Sequence, residues 1–189
     1  MHDIYRVFVL ICVTIIVLVG FSKDVTAKHG KPLELAQLAQ ISESANQRVL
    51  EVALPESATV RLTAGGSYTG ELTAFNSTHL TLSANSYSET VPLAQVQQVE
   101  FQGDVWIRNA DGVIRLGPVR GYPVTFNRVP VAALELADSS SIGRLNLNNV
   151  LNDEEFARLS RDTDRIHAVT KILFESSDVM EVTVKAVPT

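Results

Sequence analysis

Apolar and polar residues alternate from Val60 to Leu82, and the alternation breaks at Gly65-Gly66. A period of two belongs to a strand with one face in a core. The glycine pair supplies the positive φ of a tight hairpin at no steric cost. Gly70, inside a strand pattern, predicts a bulge or a sharp bend. Asn76-Ser77-Thr78 and Asn85-Ser86 predict the next two turns. Val60, Leu62, Tyr68, Leu72, Phe75, Leu80, Leu82, Val91, Leu93, Val96, Val99 and Phe101 then share one core. Pro92 is costly in a central strand, so residues 90–93 belong at an edge or a bend. Between residues 91 and 99 the spacing is mixed, and a strand, one helical turn and another strand all fit. Residues 49–54 are apolar on both faces and end at Pro55. The expected architecture for residues 48–103 is a small, strongly bent β-barrel.

From Asp104 the pattern restarts. Residues 105–108 and 113–116 flank Asp111-Gly112, a strong hairpin signal. Residues 117–123 hold two glycines and two prolines and read as a loop. Residues 124–126, 129–136 and 144–147 are strand candidates. Asn152 caps a helix with Glu155 at the capping-box position, and Phe156 and Leu159 lie on its inner side. Residues 165–174 and 179–187 form a second hairpin with one wet face. No repeat of 20 to 50 residues is visible in the sequence. The fold class is therefore mostly β: a small bent barrel, then a second β-rich unit over residues 104–189 with one short helix near 153–160. A barrel of about 50 residues buries only ~60% of its unfolded surface. It should pack on the second unit or on a copy of itself.

The first residues change the picture. Residues 7–19 are apolar apart from Thr14, with Arg6 ahead of them and small or medium residues at Val25-Thr26-Ala27. This is a signal-peptide pattern covering residues 1–27, with Lys28 as the new N-terminus. The run falls short of the ~20 residues needed to cross a bilayer; an uncleaved membrane anchor is the alternative. Export to the periplasm or beyond is expected. Residues 28–47 read as an arm in which Pro32 opens a short helix bearing Leu35, Leu38 and Ile41. Cys12, the single cysteine, leaves with the signal. The remaining chain needs no disulfide and can build no thiolate site. The formal net charge is −5, and removing residues 1–27 leaves it unchanged. An acidic chain is weakly repelled by phosphate backbones.

Val60, Leu62, Gly65, Tyr68, Gly70, Leu72, Phe75 and Asn76 follow the order of the first Sm motif, with Asn in place of Asp. Residues 60–101 thus resemble the Sm-like small β-barrel, and residues 91–101 would supply its closing strands. The whole chain also resembles a family of exported bacterial, cyanobacterial-type proteins. The Sm resemblance implies a five-stranded bent barrel, assembly into rings, and RNA binding. Residues 87–100 carry no Lys or Arg, and His79 is the only candidate base stacker. Nucleic acid is therefore not expected as a partner. Self-assembly is, because an open small barrel leaves strand edges unpaired.

The chain has no Gly-x-Ser-x-Gly elbow, no His-Glu-x-x-His helix and no phosphate loop. No enzyme activity, cofactor or metal is expected. His29, His79 and His167 share no ligand spacing. Asp162-Thr163-Asp164 with His167 reads as a divalent-cation site or as a solvated turn neutralised by Arg161 and Arg165, and the turn is favoured. Arg108, Arg115, Arg120, Arg128 and Arg144 would bind an acidic glycan or protein if they shared a sheet face; wet-face arginines are the commoner outcome. Asn76-Ser77-Thr78 also matches a glycosylation acceptor, but a turn is favoured. Trp106 and Tyr122 serve either packing or a contact surface. The expected role is non-enzymatic: protein–protein contact or scaffolding in the cell envelope, with self as a candidate partner. The alternative is a ligand-binding module built on the arginines.

Overall fold

The computed structural model describes residues 47–137, 141–161 and 166–187. The signal segment, the arm with its helix from Pro32, and Asp162-Thr163-Asp164 lie outside the described residues. The described chain is mostly strand with one short helix, in a strongly curled half-barrel sheet, as the alternation requires. Among the described residues, no helix is long and apolar enough to cross a membrane.

After β1 (Val49–Ala53), whose partners come later in the chain, a meander begins. β2 (Pro55–Leu62), β3 (Ser67–Phe75), β4 (His79–Ala84) and β5 (Tyr87–Pro92) pair antiparallel in succession. A single 3-10 turn, Leu93–Gln95, leads into β6 (Val96–Asn109), which returns to pair with β2. The expected core positions are buried, except Leu62, Tyr68 and Phe75, which are partly so. Gly65 and Gly66 take φ of +89° and +91° at the first turn. Gly70 is required for a different reason. A methyl group there would stand 2.6 Å from the Ser83 carbonyl oxygen, so only glycine lets β3 and β4 approach at the bend. The register shift in that pair falls at Thr73, between Leu72 and Ala74.

β6 is one strand of 14 residues and runs through the boundary expected at 103–104. Gly103 does not stop it. With φ of +103° it sits opposite Glu56 in a bulge, where the β2–β6 register slips between Pro55 and Ser57. A bulge re-aims a strand without ending it. The far half of β6 pairs with β7 (Gly112–Pro118) across the Ala110-Asp111 turn. All described residues belong to one compact unit, so the two expected halves are joined through a shared strand.

β8 (Pro123–Pro130) leads through a second 3-10 turn, Val131–Ala133, into the short β9 (Leu134–Leu136). The continuous strand expected over residues 129–136 is thus interrupted after Pro130. β10 (Ile142–Asn146), α1 (Asp153–Ser160), β11 (Ile166–Phe174) and β12 (Val179–Val187) follow. β1 does not belong to the meander with which it was grouped. It lies between β10, antiparallel, and β11, parallel. A strand whose residues are all apolar except Glu51 suits that interior position. β11 pairs with β6 at Lys171↔Glu100, Ile172↔Val99 and Leu173↔Gln98, which seams the two regions.

The two regions share one corner. In the first, Phe75 precedes a turn whose Asn76 Oδ1 accepts from the Thr78 and His79 N–H groups, each at 2.9 Å. In the second, Phe174 precedes a turn whose Ser176 Oγ accepts from the Asp178 and Val179 N–H groups, each at 3.2 Å. Leu80 lies opposite Val91, and Met180 opposite Val129. Pro92 and Pro130 have φ of −61° and −58°, and each opens a 3-10 turn. The first N–H of each turn donates to the neighbouring hairpin turn: Leu93 to Thr78 O at 2.8 Å and Val131 to Asp178 O at 2.9 Å. Phe75 and Phe174 pack together with ring centroids 6.3 Å apart. The corner does recur, but in permuted order. The hairpin turn precedes the Val-Pro segment in the first region and follows it in the second, so no fixed sequence period exists.

Candidate functional site

The β6–β7 hairpin projects its two sides into different environments. Pairing of Trp106 with Arg115 and of Arg108 with Val113 puts these four on one side. Ile107 and Ile114, paired with each other, occupy the other side. Val105 is fully buried, and with Ala53, Ala168 and Val187 it forms a small second core. Ile107 and Leu116 pack against that core, which anchors the hairpin base. On the outer side the Arg115 guanidinium lies 5.5 Å from the Trp106 ring centroid and also pairs with Asp104. Trp106 is therefore half-buried under a cation, an arrangement that stiffens the hairpin.

Exposed large apolar side chains concentrate here. Val113 is 57% exposed, Ile114 43% and Tyr122 93%, and Val124 at the start of β8 is also exposed. Outside this region Tyr87 is the other exposed large apolar residue among the described residues. Its hydroxyl donates to Glu89, and that bond holds the phenol above its usual pKa.

β7 pairs with β6 alone, so its outer edge is open among the described residues. A two-residue turn makes Asn109 and Gly112 a hydrogen-bonded pair, which sends the N–H and C=O of Val113 and Arg115 outward. The other sheet edges are guarded throughout. β9 has three residues, β8 is bounded by two prolines and bulged near Arg128, and β5 carries Glu89 and ends in Pro92. Arg128 has φ of +57° in that bulge. Short length, proline, charge and bulges are the usual protections of an edge; β7 has Arg115, a bulge at Leu116 and a terminal Pro118, but Val113-Ile114 ahead of them has none.

The five arginines stand on separate elements. Arg108 and Arg115 are on the two strands of the hairpin, and Arg120 is in the loop after it. Arg128 is on β8 and Arg144 on β10. Arg115 already pairs with Asp104. Arg144 sits between two carboxylates, opposite Glu51 on β1 and Glu135 on β9. No ion pair joins Arg144 to either of them among the described residues. Of the histidines, His79 is exposed beside Thr78 Oγ1 at 2.8 Å, and His167 is 7% exposed on β11. Among the described residues no cluster of His, Cys, Asp or Glu is arranged to hold a metal ion. Sequence reasoning named Trp106, Tyr122 and the arginines, but not the open edge. The signal for it was the apolar triplet Val113-Ile114 and Leu116 on a strand without a second partner.

Comparison with known proteins matches no family, no curated protein and no solved structure. The chain's own geometry is therefore the ground for assigning it a role.

Proposed function

We propose that this is an exported, non-enzymatic protein that works by protein–protein contact in the cell envelope, and that its contact surface is the outer edge of β7. One observation carries the reading: a strand edge left open at Val113-Ile114 coincides with the densest exposed apolar surface of the described chain. The partner is a second copy, joined antiparallel edge to edge. A twofold at Val113 pairs that residue with itself and sets Arg115 against Asp111 of the other copy. The outward backbone groups of Val113 and Arg115 then find partners, and the contact closes as an isologous dimer.

Sedimentation of the chain at micromolar concentration tests this. The wild type should run as a dimer. Val113→Lys, which puts a cation on the twofold and like charges face to face, should run as a monomer with an unchanged fold. A wild type that stays monomeric at all concentrations overturns the reading.

A further inference from the structure

The open edge of β7 can meet a second copy in several registers, and two features of the strand choose between them. Outward backbone groups sit at Val113 and Arg115. A twofold that sets outward residue on outward residue therefore lies at Val113, Ile114 or Arg115. The bulge at Leu116 separates the three. With the axis at Val113, residues 111–115 of one copy run against 115–111 of the other, all ahead of the bulge. With the axis at Ile114 only residues 113–115 lie ahead of it. With the axis at Arg115, Ile114 falls opposite the bulged Leu116, where pairing is interrupted.

Charge makes the same choice. Between residues 111 and 115 the charged side chains are Asp111 and Arg115. The axis at Val113 sets each Arg115 opposite Asp111 of the other copy, which gives two pairs of opposite sign. The axis at Arg115 sets guanidinium against guanidinium, and the axis at Ile114 pairs no charges. Opposite charges directly across a strand pair stabilise it, and like charges destabilise it. Asp111 is exposed and has no ion-pair partner among the described residues. Arg115 gives Nη2 to Asp104 of its own chain, yet its side chain is 58% exposed. Other donors of its fork therefore remain for a second carboxylate. Asp104 and the Trp106 ring hold that fork in place.

We propose that Asp111 and Arg115 are the residues by which the β7 edge recognises its own copy. Each Asp111 takes Arg115 of the other copy, which fixes the register and rejects strand edges that lack the reciprocal pair. This rests on the edge-to-edge dimer of β7 and adds what selects its partner. A backbone ladder alone cannot discriminate, because every residue other than proline offers the same N–H and C=O. Specificity comes from side chains, and a repulsive mismatch contributes as much to it as an attractive match. The self-complementary order, acid before base about Val113, supplies both.

Sedimentation equilibrium of the full chain with two charge reversals tests it. Asp111→Arg should weaken the dimer about tenfold or more, since it replaces two attractive pairs with two repulsive ones. Arg115→Glu should do the same. An equal mixture of the two variants should restore the dimer as a heterodimer, because each reversed charge then faces its opposite. Trp106 emission reports whether the hairpin is intact in each variant. Asp111→Arg breaks no ion pair within its own chain, so its result decides even if Arg115→Glu, which loses Asp104, disturbs the hairpin. A wild-type dimer that Asp111→Arg leaves unweakened overturns this proposal and leaves the β7 contact standing. So do variants with unchanged emission that stay apart when mixed. A wild type that is monomeric at every concentration overturns the contact itself, and the recognition with it.

Discussion

The corner at residues 75–96 and the corner at residues 129–134 with 174–180 are built alike and specified differently. In the first, hairpin turn, strand, Val-Pro and 3-10 turn follow one another in the chain. In the second, the Val-Pro segment and the hairpin turn are separated by β9, β10, α1 and β11. Each hairpin also carries an out-of-register threonine whose hydroxyl donates across the ladder: Thr73 to Thr81 O at 3.4 Å and Thr170 to Thr183 O at 3.2 Å. One packing solution is thus reached from local contacts in one region and from distant ones in the other. Geometry at this corner depends on which groups meet, not on the order in which the chain supplies them.

Core truncation is the strongest way to break the comparison. Leu80→Ala and Met180→Ala remove fully buried side chains at equivalent positions. Each should cost about 2–5 kcal/mol in denaturant unfolding. Both should shift a single transition, because β6–β11 pairing joins the regions. Two separate transitions in either variant would show that the corners fold independently. Gly70→Ala probes what the second corner lacks. The first hairpin crosses at a glycine, whereas β11 and β12 contain none. A methyl group 2.6 Å from a backbone oxygen should cost about 1–3 kcal/mol through backbone displacement. A neutral Gly70→Ala would mean that the bend has slack.

The turn caps sharpen the comparison at the smallest scale. Asn76→Ala and Ser176→Ala each remove two acceptor bonds to backbone N–H groups. Each should cost about 0.5–1.5 kcal/mol. The asparagine should matter more, because its bonds are 2.9 Å against 3.2 Å for the serine. Equal melting-temperature shifts would remove that ranking.

Much of the first region was legible because its partners are near in sequence. Alternation found its buried positions, the paired glycines found its turn, and Pro92 marked its bend. The capping box of α1 was equally plain, since all its atoms lie within one turn of helix. The restart at Asp104 misled, because a new strand and a bulge at Gly103 look the same without the partner strand. Glu56, which lies opposite, settles the difference. Val49–Ala53 was readable as an interior strand, but its neighbours β10 and β11 were not. The permuted corner escaped for the same reason: a search at fixed period assumes an order that the fold does not keep. The open edge of β7 escaped as well, because an unpaired edge is defined by the strands that do not reach it.

By itself, the sequence determined that this chain is mostly strand, where its hairpins turn, which residues of 60–101 are buried, and where its one described helix starts. Those features depend on the two-residue side-chain period and on the backbone preferences of glycine, proline and asparagine, which act over a few neighbours. Only the tertiary structure decided that β6 spans both regions, that β1 lies between β10 and β11, and that β7 keeps an open edge. Those features depend on contacts between distant segments, each bringing loop-closure entropy that local preference cannot foretell.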